Sequence, residues 1–128
     1  MRKEIERWWE QAKRDFQTAK NCMKSKDFYA SVFFCHQTVE KGLRALYLLQ
    51  RSASPGTTHS LLYLAKETNI PQKFLPFLKE LTPEFVITRY PDVAGETPYE
   101  LYDKKIAKKF IKETEAILKW LEELMSKV

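Results

Sequence analysis

The sequence of 128 residues, 44% hydrophobic and 30% charged, has the size and composition of one globular domain, which we expect to span residues 1–128. A net charge of +5 suits an anionic partner but is modest for a dedicated nucleic-acid-binding protein. Only three glycines are present, and few runs alternate apolar with polar residues, so the composition argues against a sheet and predicts an all-α protein.

The sequence contains no segment that predicts membrane insertion, export or metal binding. No uncharged run approaches the ~18 residues of a membrane span, and the N-terminal residues mix acidic with basic side chains where a signal peptide would be apolar. Neither Cys22 nor Cys35 has a neighbouring second ligand, and there is no phosphate-binding glycine loop. We therefore expect a cytoplasmic protein that contacts no membrane and needs no metal or cofactor.

The first two predicted helices cover residues 3–24 and 28–50. In the first helix, apolar residues recur at helical spacing and form one narrow stripe, which consists of Ile5, Trp8, Trp9, Ala12, Phe16, Ala19 and Met23. Asp27 precedes the second helix, and its carboxylate is expected to cap that helix. A connection of about three residues predicts that the two helices pack as an antiparallel hairpin.

The second predicted helix carries a stripe of polar residues within the segment FFCHQTVEKGLRAL, residues 33–46. Apolar residues occupy two nearly opposite sides of this helix, which predicts a central position in the bundle or a second face that meets another subunit. Between these sides lie His36, Glu40 and Arg44, each four residues from the next, so that their side chains can pair. The stripe is either a structural polar ladder or one wall of a site for an anionic ligand.

Two shorter helices are predicted after a loop at residues 51–58. The third helix covers residues 59–68 and is expected to be capped by Thr57 or Thr58. The fourth begins at Pro71 or at Pro76, because proline is tolerated in the first turn of a helix.

The remaining chain is predicted to contain one long loop and one long helix. Residues 83–98 lose helical periodicity, which indicates an ordered loop of the length that often carries function. A last helix is predicted from near Asp103 to about Ser126, with a regular apolar face. The expected fold is an antiparallel bundle of about five helices.

Two positions outside the second helix are candidates for contact with a phosphate-bearing ligand. In the long loop, Arg89 could bind phosphate as a planar cation and Tyr90 could stack on a base. The alternative is an arginine bonded to Asp92 or to the end of a helix. His59 lies at a helix start, where an anion could bind, although a role in the cap is the alternative. A basic cluster at the start of the last helix is more typical of a solvated face; it consists of Lys104, Lys105, Lys108 and Lys109.

Several of these segments together resemble a known family. The central segment is DFYASVFFCHQTVEKGLRAL at 27–46, preceded by Trp8, Trp9, Ala12 and DFQTA at 15–19. It is followed by THSLL at 58–62, RYPD at 89–92, Ala107 and ILKW at 117–120. This pattern, over residues 8–121, resembles the HEPN domain.

The resemblance implies a fold and a cellular context. The fold is a bundle related to the substrate-binding helical bundles of nucleotidyltransferases. The context is a homodimer that is often encoded beside a minimal nucleotidyltransferase, in some cases as a toxin and antitoxin. HEPN domains that cleave RNA use an arginine followed, after four to six residues, by a histidine. This chain departs from that pattern, because seven residues separate Arg51 from His59, and Ala94, Gly95 and Glu96 stand where a histidine would follow Arg89.

Three functions remain open from the sequence. The first is a nucleotide-binding or accessory module, a homodimer that acts with a nucleotidyltransferase partner in a toxin–antitoxin pair; its predicted binding residues are Arg89, Tyr90, His36, Glu40, Arg44 and His59. The second is metal-independent cleavage of RNA, which the missing motif disfavours, so no catalytic residue is assigned. The third is a structural adaptor that dimerises through the far apolar side of the second helix, around Phe34.

Overall fold

The computed structural model describes residues 2–127, and within them every regular element is helical. Seven α-helical segments follow one another along the chain: α1 (Arg2–Lys24), α2 (Phe28–Arg51), α3 (Leu61–Thr68), α4 (Leu75–Leu81), α5 (Glu84–Ile87), α6 (Pro91–Ala94) and α7 (Lys104–Met125). Short 3-10 turns cover Gln72–Phe74 and Pro98–Leu101. The all-α prediction is confirmed, and the five longest helices are the five expected from the sequence.

The two long N-terminal helices form the predicted hairpin. Their turn is closed by Lys26, which adopts a left-handed conformation with φ of 68°. The hydroxyl of the buried Ser31 donates to the carbonyl of Ala19 at 2.8 Å and joins the two helices. The expected cap by Asp27 is wrong, because its carboxylate makes no hydrogen bond to the helix start and instead accepts from the Ser25 hydroxyl at 2.7 Å.

Helix α2 is the central helix, since it packs against α1, α3, α5 and α7. Residues on both of its apolar sides are buried, including Leu43 on one side and Leu48 on the other. Phe34, on the side that was a candidate for a dimer contact, is partly buried and packs against the core of this chain. Packing within the chain therefore accounts for the second apolar side. A Cβ atom at Gly42 would lie 2.6 Å from Leu121 Cδ1, so glycine lets α7 approach α2 closely at this point.

The cap of α3 differs from the sequence prediction, whereas the start of α4 agrees with it. Ser60, not Thr57 or Thr58, caps α3, and its hydroxyl accepts from the Tyr63 amide at 3.2 Å. Both candidate prolines of the fourth helix are used: the 3-10 turn follows Pro71, and Pro76 lies in the first turn of α4. Asp103 caps α7 as expected, since its carboxylate accepts from the Ile106 amide.

Residues 83–98, predicted as a loop, contain the two single-turn helices α5 and α6. Pro83 precedes α5, and Pro91 opens α6 with a φ already suited to a helix. Gly95, with φ of 72°, ends α6 in a conformation that favours glycine. One turn is too short to show a helical repeat of apolar residues, which is why periodicity did not reveal these helices.

Candidate functional site

Glu40 is the centre of a buried polar network on α2. Its side chain is 5% exposed and accepts hydrogen bonds from two partners. Nε of Arg44, one helical turn later, donates to Oε2 at 3.1 Å, and Nδ1 of His59 donates to Oε1 at 3.0 Å. Because a carboxylate only accepts, the contact assigns the proton of His59 to Nδ1. We call Glu40, Arg44 and His59 the Glu40 network.

Arg44 connects this network to the loop before α3. Its Nη1 donates to the carbonyl of Gly56 at 2.7 Å, and its Nη2 donates to the carbonyl of Thr58. The guanidinium also lies 5.2 Å from the ring centroid of Trp8 on α1. One planar cation therefore holds the loop that carries His59, and in this position a point charge such as lysine could not make all of these bonds.

His36 lies beneath the network and is fully buried. Its Nδ1 is 3.9 Å from Oε1 of Glu40, and within residues 2–127 neither ring nitrogen makes a hydrogen bond of ordinary geometry. The pKa of His36 is lowered to about 3, chiefly by burial and to a smaller extent by electrostatic interaction with His59 and Arg89, although the nearby backbone of His59 acts in the opposite direction. The ring is therefore neutral at pH 7 and has no surface to offer a ligand.

The ring of Phe85, on α5, joins the network to the segment that carries Arg89. His59 stacks on it with centroids 4.1 Å apart and planes 17° apart, and the His36 centroid lies at 5.3 Å. The guanidinium carbon of Arg89 lies 4.3 Å from the Phe85 centroid. Sequence reasoning did not single out Phe85. Its spacing of four residues from Arg89 would have placed the two on one side of a helical turn, had that turn been recognised.

Arg89 is exposed, yet its guanidinium is held in place. Nε donates to the carbonyl of Phe85 at 2.7 Å, and the guanidinium carbon lies 5.1 Å from the ring centroids of both Phe33 and Tyr90. In the described part of the chain, no hydrogen bond or ion pair engages either terminal nitrogen, Nη1 or Nη2. The sequence analysis offered Asp92 or the end of a helix as partners of Arg89. The Phe85 carbonyl of α5 is a partner, and Asp92 is not. We call the surface around Arg89 and Tyr90 the Arg89 face.

Lys41 continues the polar stripe on the other side of α2 and has a structural role. Its ammonium lies 2.5 Å from the Asp15 carboxylate, which is buried on α1 and also accepts from the Gln11 amide at 3.0 Å. The adjoining open groove, about 450 Å³ in volume, is lined by Trp8, Gln37 and Lys41, by the three residues of the Glu40 network, and by Ser54, Gly56 and Thr57 of the loop before α3. We call it the Trp8 groove.

The family model of the HEPN domain matches residues 5–124. The chain belongs to the HEPN domain family. A protein of Methanocaldococcus jannaschii, MJ1304, whose name describes it as a candidate toxin, is 29% identical over 126 residues, which cover 89% of this chain and 83% of that protein.

Two solved structures share the HEPN fold of this chain. The crystal structure of TT1696 from Thermus thermophilus superposes with a TM-score of 0.84 at 25% identity and covers 93% of this chain and 96% of its own. The crystal structure of ST0689, described as an archaeal HEPN homologue, gives a TM-score of 0.79 at 29% identity and covers 94% and 96% of the two chains. The bundle predicted from the sequence is therefore the family's fold.

The HEPN fold brings the predicted binding residues into one connected series of contacts. The series consists of Arg44, Glu40, His59, Phe85, Arg89 and Tyr90, with His36 beneath it. Its two ends differ, because the first residues are buried and mutually bonded whereas Arg89 and Tyr90 are exposed. The basic cluster on α7 is not part of it, and there Lys109 binds Glu80 at 2.8 Å.

Two further observations concern the described residues as a whole. Within residues 2–127, no group of three or more His, Cys, Asp or Glu side chains could hold a metal ion. In the same range, no helix combines the length and the apolar character needed to cross a lipid bilayer.

Proposed function

We propose that this HEPN chain binds a phosphate-bearing nucleotide on the Arg89 face. The observation that carries the proposal is the state of Arg89, whose guanidinium is fixed by the Phe85 carbonyl and neighbouring rings while Nη1 and Nη2 remain without partners in the described chain. A fixed planar guanidinium presents two parallel N–H groups that match two phosphate oxygens. Fixing the cation in advance also reduces the entropy lost on binding.

His59 and Tyr90 complete the proposed contacts. Half of the His59 side chain is exposed, and its Nδ1 bond to Glu40 leaves Nε2 as a polar atom for the ligand. The ring of Tyr90 is 46% exposed beside Arg89 and is available for stacking. His36, Glu40 and Arg44, which the sequence also suggested as ligand contacts, are proposed instead to position His59 and its loop.

We further propose that the chain forms a homodimer and acts with a minimal nucleotidyltransferase in a toxin–antitoxin pair. Membership of the HEPN family supports this context, and so does the similarity to an archaeal protein named as a candidate toxin. Co-expression with the product of the neighbouring gene, followed by size-exclusion chromatography with light scattering, tests it. We expect a complex that contains two copies of this chain, and two separate monomeric peaks would contradict the proposal.

Calorimetric titration tests nucleotide binding directly. The wild type and the variant Arg89→Ala are titrated with ATP, GTP and their di- and monophosphates. Arg14→Ala is the matched control, because Arg14 is an exposed arginine on α1, away from the series of contacts. We expect binding by wild type and Arg14→Ala and its loss in Arg89→Ala. No heat from wild type at millimolar ligand would end the proposal.

Cleavage of RNA is a second candidate function, and the pair Glu40–His59 favours it. A histidine whose Nδ1 is held by a carboxylate can accept a proton at Nε2, as a general base does. In such a reaction Nε2 of His59 would take the proton of the ribose 2′-hydroxyl, and the 2′-oxygen would attack phosphorus. The P–O5′ bond would break, the 5′-oxygen would take a proton from water, and a 2′,3′-cyclic phosphate would remain. Arg89 would stabilise the charge that develops on the phosphate oxygens.

The two functions are separated by an RNA-cleavage assay in EDTA. If the chain is a nuclease, we expect cyclic-phosphate ends from wild type and none from His59→Gln, while the control Arg14→Ala, an exposed change on α1, cleaves normally. Nucleotide binding without any cleavage would reject the nuclease and support the nucleotide-binding module. Cleavage by His59→Gln at the wild-type rate would reject this histidine as the base.

A further inference from the structure

A second groove, separate from the Trp8 groove, is lined in part by exposed aromatic rings. This groove, about 590 Å³ in volume, is formed by the start of α2, the end of α5 and the 3-10 turn Pro98–Leu101. Arg89 belongs to its wall, together with Tyr29 and Tyr99. We call it the Tyr99 groove.

The aromatic rings that line this groove are exposed, unlike the buried side chains of the bundle core. The side chain of Tyr99 is 61% exposed and that of Tyr29 is 36% exposed. Of the six large hydrophobic residues that are exposed in residues 2–127, all but Tyr63 belong to residue 29 or to residues 90–101. Two of these residues, Tyr29 and Tyr99, line the groove, and exposed apolar surface gathered in a concavity is typical of a contact site.

We propose that the Tyr99 groove holds the base of the nucleotide whose phosphate binds Arg89. This inference rests on the proposed function and deepens it. Bases stack on exposed aromatic side chains, and the groove offers two such rings next to the cation that would bind phosphate. Its volume is in the range of small-molecule sites. A concave wall that mixes Thr88, Thr97 and Asp27 with rings suits a nucleotide better than a flat protein partner.

Asp27 gives the groove a basis for choosing among bases. Its carboxylate is exposed and lines the groove, and its one hydrogen bond in the described chain is from Ser25 to Oδ2. An ionised carboxylate only accepts hydrogen bonds, so it favours a base edge that carries adjacent N–H donors. Guanine has this edge, with N1–H beside the N2 amino group, whereas uracil has one N–H between two carbonyl acceptors. The groove is therefore proposed to prefer guanine.

The test compares ligands with and without a base. Dissociation constants are measured by NMR titration for 5′-GMP, 5′-UMP, ribose 5-phosphate and inorganic phosphate, with wild type and the variants Tyr99→Ala, Asp27→Asn and Arg89→Ala. Tyr63→Ala is the matched control, since Tyr63 is a 41% exposed tyrosine on α3. We expect wild type to bind GMP at least tenfold more tightly than ribose 5-phosphate, a factor typical of one base stack.

The variants should then separate the two parts of the ligand. Tyr99→Ala should weaken GMP about tenfold and leave ribose 5-phosphate unchanged, Asp27→Asn should remove the preference for GMP over UMP, and Tyr63→Ala should change neither. Arg89→Ala should weaken every ligand. Because Tyr99 and Asp27 are exposed, these variants are expected to fold, which circular dichroism checks.

Failure of this inference is distinguishable from failure of the proposed function. If Arg89→Ala weakens all ligands while Tyr99→Ala leaves GMP unaffected, phosphate binding stands and the base site is rejected. The same rejection follows if Tyr99→Ala changes only the molar mass in light scattering, because the groove would then be a protein interface. If wild type binds none of the ligands, both proposals fall.

Discussion

The Glu40 network and the Arg89 face both place an arginine beside aromatic rings, but they differ in what the guanidinium has left to bind. The side chain of Arg44 is 6% exposed, and its N–H groups donate hydrogen bonds to Glu40 and to two loop carbonyls. Arg89 is exposed, and in the described chain only its Nε donates a hydrogen bond, to the Phe85 carbonyl. A fully used buried cation stabilises architecture, whereas a fixed cation with unused donors is ready for a ligand.

The largest effect is expected from Glu40→Ala. This change leaves Arg44 buried without its carboxylate, and removal of one partner of a buried ion pair typically costs about 3–5 kcal/mol in the free energy of unfolding. Chemical denaturation measures the loss. Glu80→Ala is the control, because Glu80 and Lys109 form a pair at the surface, and we expect no measurable change there. Equal losses in the two variants would show that the network is not a buried structural unit.

A smaller loss is expected from Arg44→Lys, which keeps the charge but not the planar set of donors. We expect about 2 kcal/mol of destabilisation, because the carbonyls of Gly56 and Thr58 lose their donor. Amide hydrogen exchange should become faster in residues 56–60 and stay unchanged in α7. Arg51→Lys, an exposed arginine at the end of α2, serves as the control. Unchanged exchange in the loop would contradict the role assigned to Arg44.

The pH dependence of stability tests the burial of His36. Its pKa is about 3 in the folded chain, and an unfolded histidine titrates near 6.5, so between these values the unfolded state binds one more proton. Stability is therefore complete above about pH 6.5 and falls as the pH is lowered, by at most about 1.4 kcal/mol per unit from this residue. His36→Leu should flatten the curve between pH 6 and 4.5. A wild-type slope retained in His36→Leu would mean that His36 is not the group responsible.

The long helices and the polar stripe could be predicted from the sequence, because residues of one kind recur in both at a regular spacing. The apolar stripe of the first helix is buried as predicted, including Ile5, Ala12, Phe16 and Ala19. The predicted i, i+4 pair of Glu40 and Arg44 forms a hydrogen bond. Asp103 precedes α7 in the position of a cap and is one.

The remaining features depend on contacts between segments that are distant in sequence, and spacing carries no information about these. The bond from His59 to Glu40 spans 19 residues, and the stack of His59 on Phe85 joins α5 to the loop before α3. The missing arginine–histidine spacing disfavoured RNA cleavage in the sequence analysis, yet Arg89 and His59 both contact the ring of Phe85. One-turn helices such as α5 could not be predicted either, because a helical repeat of apolar residues is recognisable only over several turns.

The central claim is that ligand binds on the Arg89 face and not along the buried stripe. Titration of ¹⁵N-labelled protein with 5′-GMP tests it, since the amide signals and the Nε–Hε signals of arginine report each surface separately. We expect shifts at Arg89 and Tyr90, with the Nε signal of Arg44 and the amides of Trp8 and Gln37 unchanged. Shifts confined to the Trp8 groove, or no shifts at millimolar nucleotide, would contradict it.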